Sequence, residues 1–169
     1  MDYNNSRGEK MFEIGDKIVY PMHGAGVIVE RTLKTILGVE KEYFILLIPV
    51  GEMKISVPID KINDVGIRDI VNKPDLKEVI DTLKLKDVEI TSNWNARYRE
   101  NLEKLRSGVL IDIAEVFRDL YTLDLDRGLS MAEKKLLHTS KKMLISELSV
   151  VGEKNVAEVE KDVLSIFQE

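Results

Sequence analysis

Residues 42–58, EYFILLIPVGEMKISVP, read as a strand, a turn and a second strand. The run from Tyr43 to Ile48 is apolar but short, and Pro49 stops it well before the ~20 residues a bilayer-spanning helix needs. Gly51 marks the turn, Lys54-Ile55-Ser56-Val57 alternates as a half-buried strand, and Pro58 ends it. Upstream, Lys17-Ile18-Val19-Tyr20 alternates in the same way, and Pro21 with His23-Gly24-Ala25-Gly26 predicts a turn. Val27-Ile28-Val29 predicts another short strand, followed by a polar stretch through Arg31 and Lys34 to Gly38. Short strands with Gly and Pro turns predict a small Tudor/SH3-like antiparallel β barrel over residues 11–68. Residues 1–10, MDYNNSRGEK, lack the apolar segment of a secretory signal and read as a flexible leader.

Beyond Pro74 the period changes. Leu76, Val79, Ile80 and Leu83 recur at helical spacing, and Ser92 and Asn93 offer N-caps for a helix that Gly108 ends. Leu110, Ile113, Ala114, Phe117, Leu120 and Tyr121 form an apolar stripe. Ser130 and Glu133 have capping-box spacing, Gly152 breaks the helix that follows, and Asn155 with Glu158 opens a last one reaching Phe167. The fold class is therefore α+β: a linker at 69–75 and then a compact bundle of about five helices over 76–169.

The composition excludes several functions. With no cysteine there is no disulfide scaffold, thiolate metal site or cysteine nucleophile, which fits a cytoplasmic setting. His23 and His138 fall in different halves and read as ordinary turn and surface histidines. No Walker loop, dinucleotide fingerprint, HExxH or nucleophile elbow occurs, and Asp124 and Asp126 lack the remaining ligands of a calcium loop. No enzyme, cofactor or metal is expected. A net charge of −5 argues against coating nucleic acid by bulk electrostatics, so any DNA contact must be local.

Residues 91–108, TSNWNARYRENLEKLRSG, hold the one tryptophan and a local basic excess from Arg97, Arg99, Lys104 and Arg106 over Glu100 and Glu103. Two readings compete. Trp94 is in line with Tyr98, Leu102 and Leu105 at helical spacing, which would put it in the core. Alternatively, an indole at a helix start between Asn93 and Asn95 projects, as a flat apolar wedge does when basic neighbours hold phosphates. Lys134, Lys135, Lys141 and Lys142 form a second basic cluster, which is either a phosphate contact or a solubilising face.

FEIGDKIVYPMHGAGVI, KEYFILLIP, NWNARYRENLEKLRSG and AEVFRDLYTLDLDRGLSMAEKKLL together resemble the CarD/CdnL family of bacterial transcription regulators, over residues 11–150. The first motif alone resembles the related module of transcription-repair coupling factors as well; the tryptophan helix makes the likeness specific. The resemblance implies a Tudor-like domain that docks on the RNA polymerase β subunit through Lys34, Thr35, Ile36, Ser56 and Pro58. It also implies a helical domain at the upstream edge of the promoter bubble. There Trp94 wedges into the minor groove, largely independent of sequence, beside Arg97, Arg99 and Lys134, and stabilises the open complex. Ser56 stands where some relatives carry arginine, so that contact is expected to be weaker or replaced by nearby Lys54, and Ala96 replaces a basic residue, which lowers the local attraction to DNA. A monomer in the cytoplasm, nucleoid-associated through polymerase, is expected. The competing expectation is a protein-interaction module whose bundle never meets DNA. The target promoters and the sign of regulation are not legible in the sequence.

Overall fold

The computed structural model describes residues 10–169, so all of the expected leader but Lys10 lies outside the described residues. Five strands come first: β1 Lys17–Tyr20, β2 Gly24–Ile36, β3 Val39–Ile48, β4 Met53–Pro58 and the short β5 Arg68–Asp69. They form one antiparallel sheet in the order β4-β3-β2-β1-β5. Alternate residues of these strands face inward, so Ile18, Ile28, Phe44, Leu46, Ile48 and Val57 close a core with Phe12 and Ile62. The sheet curls round that core as the Tudor-like module the sequence predicts.

The module departs from expectation in two places. The turn lies at 21–23, and Gly24 to Gly26 already belong to β2. Gly24 (φ +117°) and Gly26 are there for want of a side chain: a Cβ would stand 2.5 Å from Ser146 Oγ and 2.3 Å from the Leu47 carbonyl oxygen, respectively. Second, the polar stretch after Val29 continues as strand. Its register shifts between Ile28 and Glu30, and beyond that bulge β2 pairs with β3 as far as Ile36 opposite Val39. Polarity signalled solvent there, not loop. Both faces of this outer ribbon meet water, and cross-strand pairs such as Arg31–Glu42 support it.

Five helices follow: α1 Leu76–Lys84, α2 Trp94–Ser107, α3 Leu110–Arg127, α4 Met131–Gly152 and α5 Val156–Ser165. Asn93, Ser130 and Asn155 cap α2, α4 and α5 through their side chains, and Gly108 ends α2 in the left-handed region. Leu105, Ile113, Phe117, Leu120, Met143 and Leu144 lie at the centre of the helical core.

The two cores meet along α4. Ala25 N–H donates to Ser146 Oγ at 2.9 Å, and Val19 and Ala25 pack with Val150. Arg68 Nη1 and Nη2 each donate to Glu147, a buried carboxylate, at 2.8 Å, and Arg68 Nε donates to the Gly108 carbonyl at 2.8 Å. The segment 69–75, expected as a linker, belongs to this seam. Asp69 is in β5, Val71 N–H donates to Glu147 at 3.1 Å, and 73–75 form a 3-10 turn. Its backbone groups are bonded to the structure on either side, so it is not a free tether.

Candidate nucleic-acid and protein interfaces

Trp94 is the first residue of α2 and is 44% exposed. Its ring stacks on Tyr98 one turn later, with centroids 5.8 Å apart, and its Nε1–H donates to Ser130 Oγ at 3.1 Å. Ser130 is the N-cap of α4, so this one bond brings the starts of two helices together. Their unpaired N–H groups and dipoles make the neighbourhood favourable to anions. The first turn of α2 carries no acidic residue, and the one in the first turn of α4, Glu133, is buried and paired with Arg97.

Arg97 was expected to face DNA, and the structure corrects this. Its side chain is buried; Nε donates to Glu133 Oε1 at 2.6 Å, and Nη1 donates to the carbonyls of Thr91 and Ser92 at 2.9 and 3.2 Å. Burial alone would push the Glu133 carboxyl up; the Arg97 guanidinium and the Ser130 cap outweigh it and hold it below its ordinary value. Arg97 therefore ties α2 to α4 and to the segment ahead of α2. Arg99 is exposed, but five residues along an α-helix set it about 140° around the axis from Trp94. Lys134 is exposed on the first turn of α4, with Lys135 beside it. Of the four DNA-facing candidates, Trp94 is exposed at the start of α2, Lys134 is exposed one turn into the helix whose cap the indole bonds, Arg99 lies on another face, and Arg97 is internal.

The second set lies on the outer β ribbon. Lys34 Nζ reaches across β3 to donate to Ser56 Oγ at 2.6 Å and sits 5.9 Å from the centroid of Tyr43. Pro58 is paired opposite Tyr43. These residues share one face, whereas strand alternation puts Thr35 on the other. Ile36 is half exposed at the end of β2. The sequence reading missed the tip beyond it. Leu37 (φ 51°) and Gly38 (φ 77°) form a two-residue turn with both φ positive, where Asn-Gly is the usual choice. Leu37 is 98% exposed, and Leu33 and Val39 are exposed nearby. A leucine in a left-handed turn, in open water, serves neither local conformation nor core burial. Its signal was a Leu-Gly pair between alternating strands, which the polar residues around it obscured.

No group of three or more His, Cys, Asp or Glu among the described residues gathers to hold a metal, and no described helix is long and apolar enough to cross a membrane. His23 stacks on Tyr20 at 4.4 Å; burial first, and Lys142 second, hold its imidazole below the ordinary value.

An apolar-tipped β ribbon and an exposed indole at a helix start, held on one frame, make two candidate binding surfaces. Comparison with known proteins gives that arrangement a family. Residues 12–71 match the model of the CarD-like/TRCF RID domain, and residues 78–164 match that of the CarD C-terminal domain. The chain is 35% identical over 141 residues to YdeB of Bacillus subtilis (strain 168), a protein named as a transcription factor; the match covers 83% of this chain and 92% of YdeB. The chain belongs to the CarD family of transcription regulators.

Proposed function

We propose that the β module docks on the RNA polymerase β subunit while the helical half engages promoter DNA at the upstream edge of the bubble, where Trp94 wedges into the minor groove and prolongs the open complex. The observation that carries this reading is the exposed indole at the meeting point of two helix N-termini, with exposed Lys134 on the first turn of α4. A flat apolar side chain in that setting favours an unstacked base step over an intact duplex, and the nearby positive groups favour phosphate. Lys134, exposed on the first turn of α4, supplies positive charge there; Arg99, on another face of α2, meets the backbone only away from the wedge. Arg97 acts from inside, as a support.

The polymerase contact rests on the outer ribbon. Ile36 and the tip residue Leu37 offer apolar surface, Lys34, Thr35 and Ser56 polar groups, and Pro58 the floor beside Tyr43. Docking one half raises the local concentration of the other near DNA, so neither contact has to be tight. The wedge then shifts the closed–open equilibrium by its differential affinity for the two forms. A module that never meets DNA is the competing reading, favoured by the burial of Arg97 and by Arg99 lying on another face from Trp94.

The test of the docking half is binding of the full chain to the isolated polymerase β lobe. Ile36→Asp is expected to weaken it at least tenfold, and Trp94→Ala to leave it unchanged. Equal affinity for Ile36→Asp and the parent removes the ribbon from the contact.

A further inference from the structure

Around Trp94 the hydrogen bonds form a closed set with a consequence for how the wedge works. The Ser130 hydroxyl accepts from Trp94 Nε1 at 3.1 Å and from Glu133 N–H at 3.2 Å, and it donates to Glu133 Oε2 at 3.3 Å. One donor and two acceptor positions are the full capacity of a hydroxyl, so Ser130 Oγ has no orientational freedom left. Glu133 is held in turn. Its other oxygen accepts from Arg97 Nε at 2.6 Å, and Arg97 is pinned by the Thr91 and Ser92 carbonyls. Glu133 and Arg97 are both buried, unlike the indole they support. Tyr98 closes the remaining side by stacking.

We propose that Ser130, Glu133 and Arg97 are positioning residues that hold the Trp94 ring in its projecting orientation before DNA is met. This rests on the wedge reading above and adds a mechanism to it. The one hydrogen-bond donor of the indole is taken up by Ser130 at 3.1 Å, within the protein. A wedge whose N–H is already bonded inside the protein inserts without reading base hydrogen bonds. A free tryptophan at a helix start would populate several rotamers and have to be ordered at the moment of binding. The network removes that ordering cost in advance, an effect of about two- to tenfold on the stability of the engaged state. Arg97, basic and three residues after the tryptophan, thus acts on DNA only through the ring it steadies.

The test separates positioning from helix capping, which the same hydroxyl performs. In the full chain Ser130→Thr keeps both the cap and the indole acceptor, whereas Ser130→Gly keeps capping to within a few tenths of a kcal/mol but has no acceptor. Trp94 is the only tryptophan, so time-resolved anisotropy of the free protein reports its motion alone. Ser130→Gly is expected to add fast local motion of the indole at an unchanged overall rotation, and Ser130→Thr to match the parent. With RNA polymerase holoenzyme and a promoter, Ser130→Gly is expected to shorten open-complex lifetime about two- to tenfold. Combined with Trp94→Ala it is expected to shorten it no further than Trp94→Ala alone. Parent-like anisotropy in Ser130→Gly overturns the proposal, as does a loosened ring with a parent-like lifetime while Trp94→Ala shortens it. A Trp94→Ala protein with the parent's lifetime overturns the wedge itself, and the anisotropy arm still decides separately whether Ser130 holds the ring.

Discussion

Trp94 and Arg97 share the first turn of α2, and the structure sends one outward and the other in. The consequences of removing them differ accordingly. Trp94→Ala loses one stacking contact and one hydrogen bond, about 1–2 kcal/mol of stability, and the fold survives it. Arg97→Ala leaves Glu133 ionised, buried and unpaired, so urea denaturation should show a loss of about 3–5 kcal/mol. Acid reaches the same pair from the other side. The folded-state pKa of Glu133 lies below its ordinary value of 4.5, so its contribution is fully present above 4.5 and lost as pH falls through the lower, folded value. Emission from Trp94 should therefore be flat from about pH 8 to 5 and shift only at more acid pH. Sequence reasoning could place neither residue with certainty. The spacing Trp94, Tyr98, Leu102, Leu105 pointed to the core, but the buried line is Arg97, Asn101, Leu105. Periodicity counts arginine as solvent-facing, and the carboxylate that makes Arg97 internal is 36 residues away on α4.

At the scale of elements, the β2–β3 ribbon is the clearest case of structure exceeding pattern. Strands β1, β3 and β4 and the ends of most helices were legible, because alternation, caps and Gly or Pro stops are local signals. The extension of β2 to Ile36 was not, since a two-sided solvated ribbon has no apolar face to announce it. Its turn yields a sharp prediction. Leu37→Asn puts a residue that tolerates positive φ in place of one that does not, so thermal stability should hold or rise slightly. The same change removes apolar surface from the tip, so affinity for the polymerase β lobe should fall. Reduced stability with unchanged affinity would show that Leu37 serves the turn and not a partner. The strand's other end is tuned for contact with α4. Gly24→Ala forces a methyl to 2.5 Å from Ser146 Oγ at a φ of +117°, and should cost at least about 1–3 kcal/mol in denaturant unfolding.

For the whole molecule, the seam along α4 is what holds the two candidate surfaces on one frame. The family resemblance and the change of period near Pro74 showed two halves, but nothing local revealed that Arg68 crosses to Glu147 or that Val71 donates to the same carboxylate. Glu147→Ala leaves Arg68 without its counter-ion and should loosen the halves against each other. Binding to the β lobe should persist, while the effect on open complexes falls. Prolongation of the open complex by Trp94 is tested most directly by the lifetime of open complexes formed by RNA polymerase on a single promoter at saturating protein. Trp94→Ala is expected to give a shorter lifetime than the parent at equal polymerase occupancy. Indistinguishable lifetimes for the two proteins would contradict it.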